Sequence, residues 1–293
     1  MKVKVASVQT NPQLGDLFCN MGKTLEYIDV ASAAGAELVV FPECSLTGYC
    51  FSDRQEALAS ALIVGEEWTA TLIDAARRTH SHVVVGFVEA GDGNLYNSLL
   101  VVGPSGIAGR YRKSHLPGLG VDNFVTPGSE PYSVIETPMG KLGGLICYDI
   151  RFPEAARILA LQGADLLVHI TNLPITASTT VEYLLPARAI ENQIFVLSSG
   201  RVGEERGFRF LGRSEIIGVK GEILAQANEK DETVLYAELD LALARQKHVV
   251  LPPGPGKPVT HVRSVFDSRR PELYSPLTWS TENWTGRRSF PKR

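Results

Sequence analysis

The feature that most limits what this chain can fold into is a repeated alternation of short apolar runs with longer segments of helical spacing. Runs near 2–9, 37–42 and 82–89 read as strands, and the segments about 17–34 and 66–79 between them read as helices, which gives a βαβαβ opening. The alternation returns with strand 141–147, helix 153–162, strand 165–170, helix about 178–191 and strand 194–199. Pro153 and Gly163 mark the start and end of one of these helices, since proline suits the first turn and glycine the residue past the last. Such alternation implies an α/β class built on parallel pairing. The intervening runs Asn94–Val102, Ile107–Arg112 and Ser133–Glu136 have no helices between them. The first two are joined by the turn Gly103-Pro-Ser-Gly106, so antiparallel pairing is expected inside the parallel scheme. Strands near 210–217, 222–226 and 233–239 and a helix near 240–247 close the body.

Bulk properties narrow the function. With 293 residues, 44% of them hydrophobic, the chain can bury a large core. A formal charge of -3 offers no field for nucleic acid or an anionic membrane, so neither is expected as a partner. No transmembrane stretch occurs, and the opening Met1-Lys-Val-Lys-Val alternates like a strand instead of forming the apolar core of a secretion signal. The four cysteines, Cys19, Cys44, Cys50 and Cys147, are too sparse for a disulfide framework and take no metal-ligand spacing with the six histidines. A reducing, cytoplasmic setting without a metal is the expectation. One composition shift, from Leu251 to Pro258, separates a body of residues 1–250 from an extension over 251–293. From Arg263 onward the extension carries seven basic and three acidic residues, which fits a solvated tail or an arm that packs on an acidic partner subunit.

Three chemically complementary side chains fall at strand ends. Glu43 follows the apolar run Leu38-Val-Val-Phe-Pro42, where proline has no N–H to continue a ladder. Lys113 ends Ile107-Ala-Gly-Arg-Tyr-Arg, and Cys147 ends Lys141-Leu-Gly-Gly-Leu-Ile. Open α/β folds bind ligands beyond the carboxyl ends of their strands, so an acid, an ammonium and a thiol there constitute a candidate reaction centre. Taken singly, each also reads as a solvated charge or a buried structural cysteine.

Residues 2–250 resemble the nitrilase superfamily of carbon–nitrogen hydrolases. The resemblance is carried by Phe41-Pro-Glu43 with Leu46-Thr-Gly48-Tyr49, by Tyr111-Arg-Lys113-Ser-His-Leu-Pro117 and by Ile146-Cys147-Tyr-Asp149-Ile-Arg151-Phe-Pro-Glu154. Supporting blocks are Gly163-Ala-Asp-Leu166, Ala187-Arg188-Ala-Ile-Glu191-Asn192 and Gly212-Arg-Ser214. It implies a four-layer α-β-β-α sandwich with mixed sheets, a homodimer or higher homo-oligomer, and no metal or organic cofactor. Glu43, Lys113 and Cys147 become the catalytic set by this resemblance. Glu43 would take the thiol proton, and Lys113 with the Tyr148 backbone N–H would stabilise the oxyanion. A thioester on Cys147 would then be hydrolysed. Many members carry a second glutamate in the loop after the lysine. Here the loop contains none before Glu130, and Asp122 is the expected substitute.

The same resemblance bears on the substrate. Tyr148 stands where true nitrilases typically have Trp-Glu, which favours amides and carbamoyl groups over nitriles. Arg151 matches an arginine that binds the substrate carboxylate in carbamoyl-amino-acid hydrolases, and it also reads as a partner for Asp149, Glu154 or a neighbouring subunit. Asn172 and Glu182 are further candidate substrate-binding residues. The expected reaction is hydrolysis of a small amide or N-carbamoyl compound with release of ammonia. The alternatives are a nitrilase, an acyltransferase passing the thioester to an amine, a scaffold without activity, and a cysteine protease using His115 or His169.

Overall fold

The apolar runs become the inner strands of two six-stranded sheets in the computed structural model, which describes residues 1–253, 255–256 and 261–279. The first half of the chain supplies β1 (Lys2–Gln9), β2 (Leu38–Val40), β3 (His82–Gly91), β4 (Asn94–Gly103) and β5 (Gly106–Arg112). The second half supplies β6 (Val134–Thr137), β7 (Gly140–Ile146), β8 (Leu166–Thr171), β9 (Phe195–Gly200), a small hairpin of β10 (Glu204–Glu205) and β11 (Phe208–Arg209), then β12 (Glu215–Ile217), β13 (Ile223–Gln226) and β14 (Thr233–Asp240). The sheet orders are β14-β1-β2-β3-β4-β5 and β13-β12-β9-β8-β7-β6. Strands β1 to β3 and β7 to β9 run parallel, and every other pairing in these two sheets is antiparallel. The hairpin over 94–112 therefore forms as its turn residues suggest.

Every residue of β2, β8 and β9 is buried, because both faces of each sheet are covered. Helices α1 (Leu17–Ala33) and α3 (Glu67–Thr79), with the short α2 (Arg54–Ala59) between them, belong to the first half; α1 and α3 cover the outer face of its sheet. Helices α4 (Pro153–Leu161) and α5 (Leu185–Asn192) cover the second, and α6 (Leu241–Arg245) follows β14. The sheets face each other through β1 with β9 and β4 with β7, which completes the α-β-β-α layering. Apolar packing dominates this seam, yet two serines cross it. Ser7 donates to the Ser198 carbonyl at 3.0 Å, and Ser199 donates to the Val40 carbonyl at 3.1 Å.

Local chemistry explains where elements stop. The Asp16 carboxylate caps α1 by accepting the Cys19 N–H at 2.9 Å. Pro153 begins α4, and Gly163, at φ 86°, supplies the left-handed turn two residues past its end. The helix expected over about 178–191 is instead a 3-10 turn (Ile175–Ala177), a π turn (Thr180–Leu184) and α5. Pro186 has no N–H to give an α-type bond, and the Leu185 N–H reaches back to the Thr180 carbonyl. The strand expected near 210–217 shrinks to Glu215–Ile217, because Gly212 and Arg213 both take positive φ. Helix α2, capped by Asp53, was not signalled by apolar spacing.

The body ends at Gln246, and a separate unit begins at Lys247. Within that unit Val249–Leu251 (β15) pairs antiparallel with His261–Arg263 (β16). Positions 254, 257–260 and 280–293 of the expected extension lie outside the described residues. Among the described residues no helix is long and apolar enough to cross a membrane.

Candidate active site

Glu43, Lys113 and Cys147 reach one site from three strand ends, as their positions in the sequence imply. Glu43 sits in the turn after β2, Lys113 just beyond β5, and Cys147 just beyond β7. The first two belong to one sheet and the thiol to the other. The turn carrying Glu43 lies on Gly86 of β3, where an added Cβ would stand 2.5 Å from the Cys44 nitrogen and 2.8 Å from the Glu43 Cα. Only glycine lets the two backbones approach this closely.

The buried charges form a closed network. Lys113 Nζ donates to Glu43 Oε1 at 2.7 Å and to Asp122 Oδ2 at 2.6 Å, with all three side chains fully enclosed. Asn97 Nδ2 donates to the same two carboxylates, at 2.7 Å to Glu43 Oε1 and 2.9 Å to Asp122 Oδ1. The Asn172 backbone N–H donates to Glu43 Oε2 at 2.8 Å, and Tyr49 donates its hydroxyl to Asp122 Oδ2 at 3.0 Å. Asp122 thus joins the site from a 3-10 turn (Gly120–Asn123), through the lysine.

Electrostatics follow from this enclosure. Burial pushes the Glu43 carboxyl above its ordinary value, against the pull of Lys113. Burial alone would lower the Lys113 ammonium, but Glu43, Cys147 and Asp122 together hold it well above the usual lysine range. The Cys147 thiol is pushed up to about 12, first by burial and then by the Glu43 charge, while Lys113 and the Thr171 hydroxyl favour the thiolate. At neutral pH the site therefore holds a neutral thiol beside an ammonium, with a carboxyl whose proton affinity is raised.

The backbone at Cys147 is left-handed, with φ 47°, so the thiol sits on a strained turn between β7 and a 3-10 helix (Cys147–Arg151). Two residues hold that turn. Asp149 accepts the Ile146 N–H, the His115 N–H and the Tyr111 hydroxyl, and His169 bonds the Cys147 carbonyl at 3.0 Å. His169 also meets the Ser198 hydroxyl at 2.9 Å, and burial pushes its pKa down to about 4, so the ring is neutral. Both ring nitrogens are occupied. His115 is likewise engaged, through Nδ1 with Asp149 at 2.8 Å and by stacking on Phe152. The cysteine–histidine arrangement that a protease needs is therefore not what these rings form. The Tyr148 N–H lies in the first turn of the 3-10 helix, where the helix's own ladder does not use it.

A cavity of about 280 Å³ opens beside the thiol. Cys147, Tyr148, Arg151 and Asn172 line it, with apolar walls from Leu119, Ile150 and Leu173 among others. Arg151 has no carboxylate partner among the described residues; it makes a long bond, 3.4 Å, to the Thr180 hydroxyl. The expected pairing with Asp149 does not form, because that carboxylate is already occupied. Asn172 is 1% exposed, yet neither its Oδ1 nor its Nδ2 has a partner among the described residues. Glu182 stands apart: it pairs with Arg213 at 2.9 Å from the π turn and does not line the cavity.

Sequence reasoning passed over Asn97 and the supporting roles of Tyr49, Asp149 and His169. Asn97 had a signal, an amide followed by Ser98 in the middle of a strand whose other residues from Leu95 to Val102 are aliphatic or aromatic.

Comparison with known proteins agrees with the fold. Residues 4–248 match the carbon-nitrogen hydrolase family model. A protein named nitrilase from Pyrococcus abyssi is 41% identical over 93% of this chain and 99% of its own length. An (R)-stereoselective amidase from a Pseudomonas species is 36% identical over 82% of this chain and 85% of its own. The crystal structure of a carbon-nitrogen hydrolase from Helicobacter pylori superposes with a TM-score of 0.81 at 26% identity, covering 94% of this chain and 98% of that one. With its two-sheet fold and nearly its whole body matched, this chain belongs to the nitrilase superfamily of carbon–nitrogen hydrolases.

Proposed function

We propose that this protein hydrolyses small linear primary amides and N-carbamoyl compounds through a thioester on Cys147, releasing ammonia. One observation carries the preference for amides: the buried Asn172 side chain, unpartnered at both oxygen and nitrogen, in the cavity that holds the thiol. A buried amide left unpaired costs about 1–3 kcal/mol per group, so it calls for a ligand with both a donor and an acceptor. A primary amide or carbamoyl group offers both; a nitrile offers only an acceptor. The amidase relative supports the same reading. The 41% identical relative named nitrilase favours nitrile hydrolysis as the second reading.

In the proposed cycle the Cys147 sulfur attacks the amide carbon as its proton passes to Glu43. The neutral resting thiol favours proton removal during attack over a preformed thiolate. Negative charge then develops on the carbonyl oxygen, and Lys113 Nζ and the Tyr148 N–H are the donors suited to receive it. Glu43 returns the proton to the departing nitrogen, ammonia leaves, and the acyl group remains on sulfur. Water, deprotonated by Glu43, attacks the thioester and releases the carboxylic acid and the thiol. Asp122 keeps Lys113 charged and oriented. Arg151, without a carboxylate partner of its own, suits the carboxylate of an acidic substrate.

The cytoplasmic setting and the homo-oligomeric assembly belong to this reading as expectations. The deciding experiment is a screen of amides, N-carbamoyl amino acids and nitriles for ammonia release, with Cys147→Ala as the blank and an added amine to detect acyl transfer. Turnover of nitriles alone would overturn the amide reading, and Asn172→Leu should lower amide turnover far more than any nitrile turnover.

A further inference from the structure

The Asn97 side-chain amide bonds both buried carboxylates, and its orientation is fixed from behind. Cys44 Sγ lies 3.6 Å from Asn97 Oδ1, in position to donate its proton, so the NH₂ group must face Glu43 and Asp122. The reverse orientation would set a carbonyl oxygen against two carboxylates. The Asn97 backbone carbonyl also accepts the Lys113 N–H at 2.8 Å, which ties the strand carrying the lysine to the same residue.

These bonds divide the Glu43 carboxylate unequally. Oε1 accepts from both Lys113 and Asn97, which occupies its two lone-pair directions. Among the described residues Oε2 accepts only the Asn172 backbone N–H, so one direction remains open. We infer that Asn97 is a positioning residue for the base: it fills Oε1 and leaves Oε2 as the atom that takes the proton from Cys147. The inference rests on Glu43 being the base of the proposed reaction. The other titratable groups that face Glu43 are Lys113, Asp122, Cys44, Tyr49 and Cys147. Lys113 favours the ionised form, Asp122 opposes it, and the Asn97 bond adds to the lysine's effect. Without Asn97, Glu43 would hold its proton to higher pH.

Alkylation of Cys147 by iodoacetamide, followed by peptide mass from pH 5 to 9, tests this without a known substrate. The sulfur–carbon bond forms, iodide leaves, and the thiol proton goes to the base, so the rate falls as Glu43 becomes protonated. Asn97→Ala and Asn97→Ser should each move the acid limb of the profile upward by about one pH unit, the ordinary size of one lost bond to a charged group. Asn97→Asp, which adds a third carboxyl, should move it further. An equal fall in rate at every pH, with the limb unmoved, would make Asn97 structural and overturn the inference, as would failure of both smaller variants to fold. Glu43→Gln separates the two levels. If it abolishes the limb while the Asn97 variants leave it in place, only the positioning role falls. If it retains the native limb, Glu43 is not the base and both readings fall.

Discussion

Replacing Lys113 by methionine should expose the energetics of the buried centre more directly than any other change. The native ammonium meets two carboxylates at 2.6 and 2.7 Å. At an effective dielectric constant of about 20, each contact is worth about 6 kcal/mol before desolvation is subtracted. Methionine preserves the apolar stem and removes the charge, leaving Glu43 and Asp122 enclosed together with only neutral donors. Breaking a buried pair from one side costs about 3–5 kcal/mol. For a body of this size, about 2–4 °C per kcal/mol puts the fall in Tm at about 6–20 °C at pH 8. The sign of the pH dependence follows from Glu43, whose pKa is already raised in the fold. Losing the cation raises it further, so the folded variant binds a proton that the unfolded chain has released above about pH 4.3. Its deficit should therefore shrink toward acid by about 1.4 kcal/mol per pH unit over the range where that carboxyl is protonated in the folded variant but not in the folded native protein. Thermal unfolding of both proteins at pH 5, 6.5 and 8 measures this. A variant that melts within 2 °C of the native protein (roughly 1 kcal/mol), or whose deficit is flat with pH, would refute the coupled arrangement.

Cys147→Ala should abolish ammonia release from every accepted substrate while the circular dichroism spectrum stays native; turnover in the alanine protein would end the thioester scheme. Arg151→Ala should raise KM for acidic amides by about 10- to 100-fold, the worth of hydrogen bonds to a charged group, and leave neutral amides nearly unchanged. Equal losses for both in steady-state assays would make the arginine structural. His169 is held neutral with a pKa near 4, whereas the unfolded chain protonates it near 6.5. Its contribution to stability is complete above about pH 6.5 and is lost as pH falls toward 4, by about 3 kcal/mol in total. Denaturant titrations of His169→Gln between pH 4.5 and 7.5 should show a weaker pH dependence than the native protein.

The sheets were legible in the sequence because strands covered on both faces must be apolar throughout, and β8 and β9 have no polar face to confuse the reading. Glu43 and Cys147 were legible because each follows such a run, and Lys113 because it follows the second strand of a hairpin that the turn Gly103-Pro-Ser-Gly106 marks. The segment over 175–192 was not, since its apolar spacing is helical while Pro186 redirects the backbone bonds. Asp122 and Asn97 show the deeper limit. Nothing in linear spacing says that Asp122, on a loop, and Asn97, inside a strand, meet each other in one network with Lys113 and Glu43. That meeting exists only once the β4–β5 hairpin brings Asn97 beside Lys113. Glu182 illustrates the converse: a helix-face carboxylate near the site in sequence points to Arg213.

Glu43 and the Lys113 ammonium ride on one sheet and the Cys147 sulfur on the other, so the reaction coordinate of the proposed cycle runs across the seam that Ser7 and Ser199 stitch together. The spacing of the two layers is then a chemical variable as well as a packing one. A substitution such as Ser199→Val, far in sequence from all three reacting groups, would act like a shim, widening the gap a proton must cross. Variants selected only for retained melting temperature could lose rate through this route, and compensating changes in the opposite layer could restore it. The enzyme's tolerance to core redesign is thus set by the stiffness of its midplane as well as by the volume it encloses.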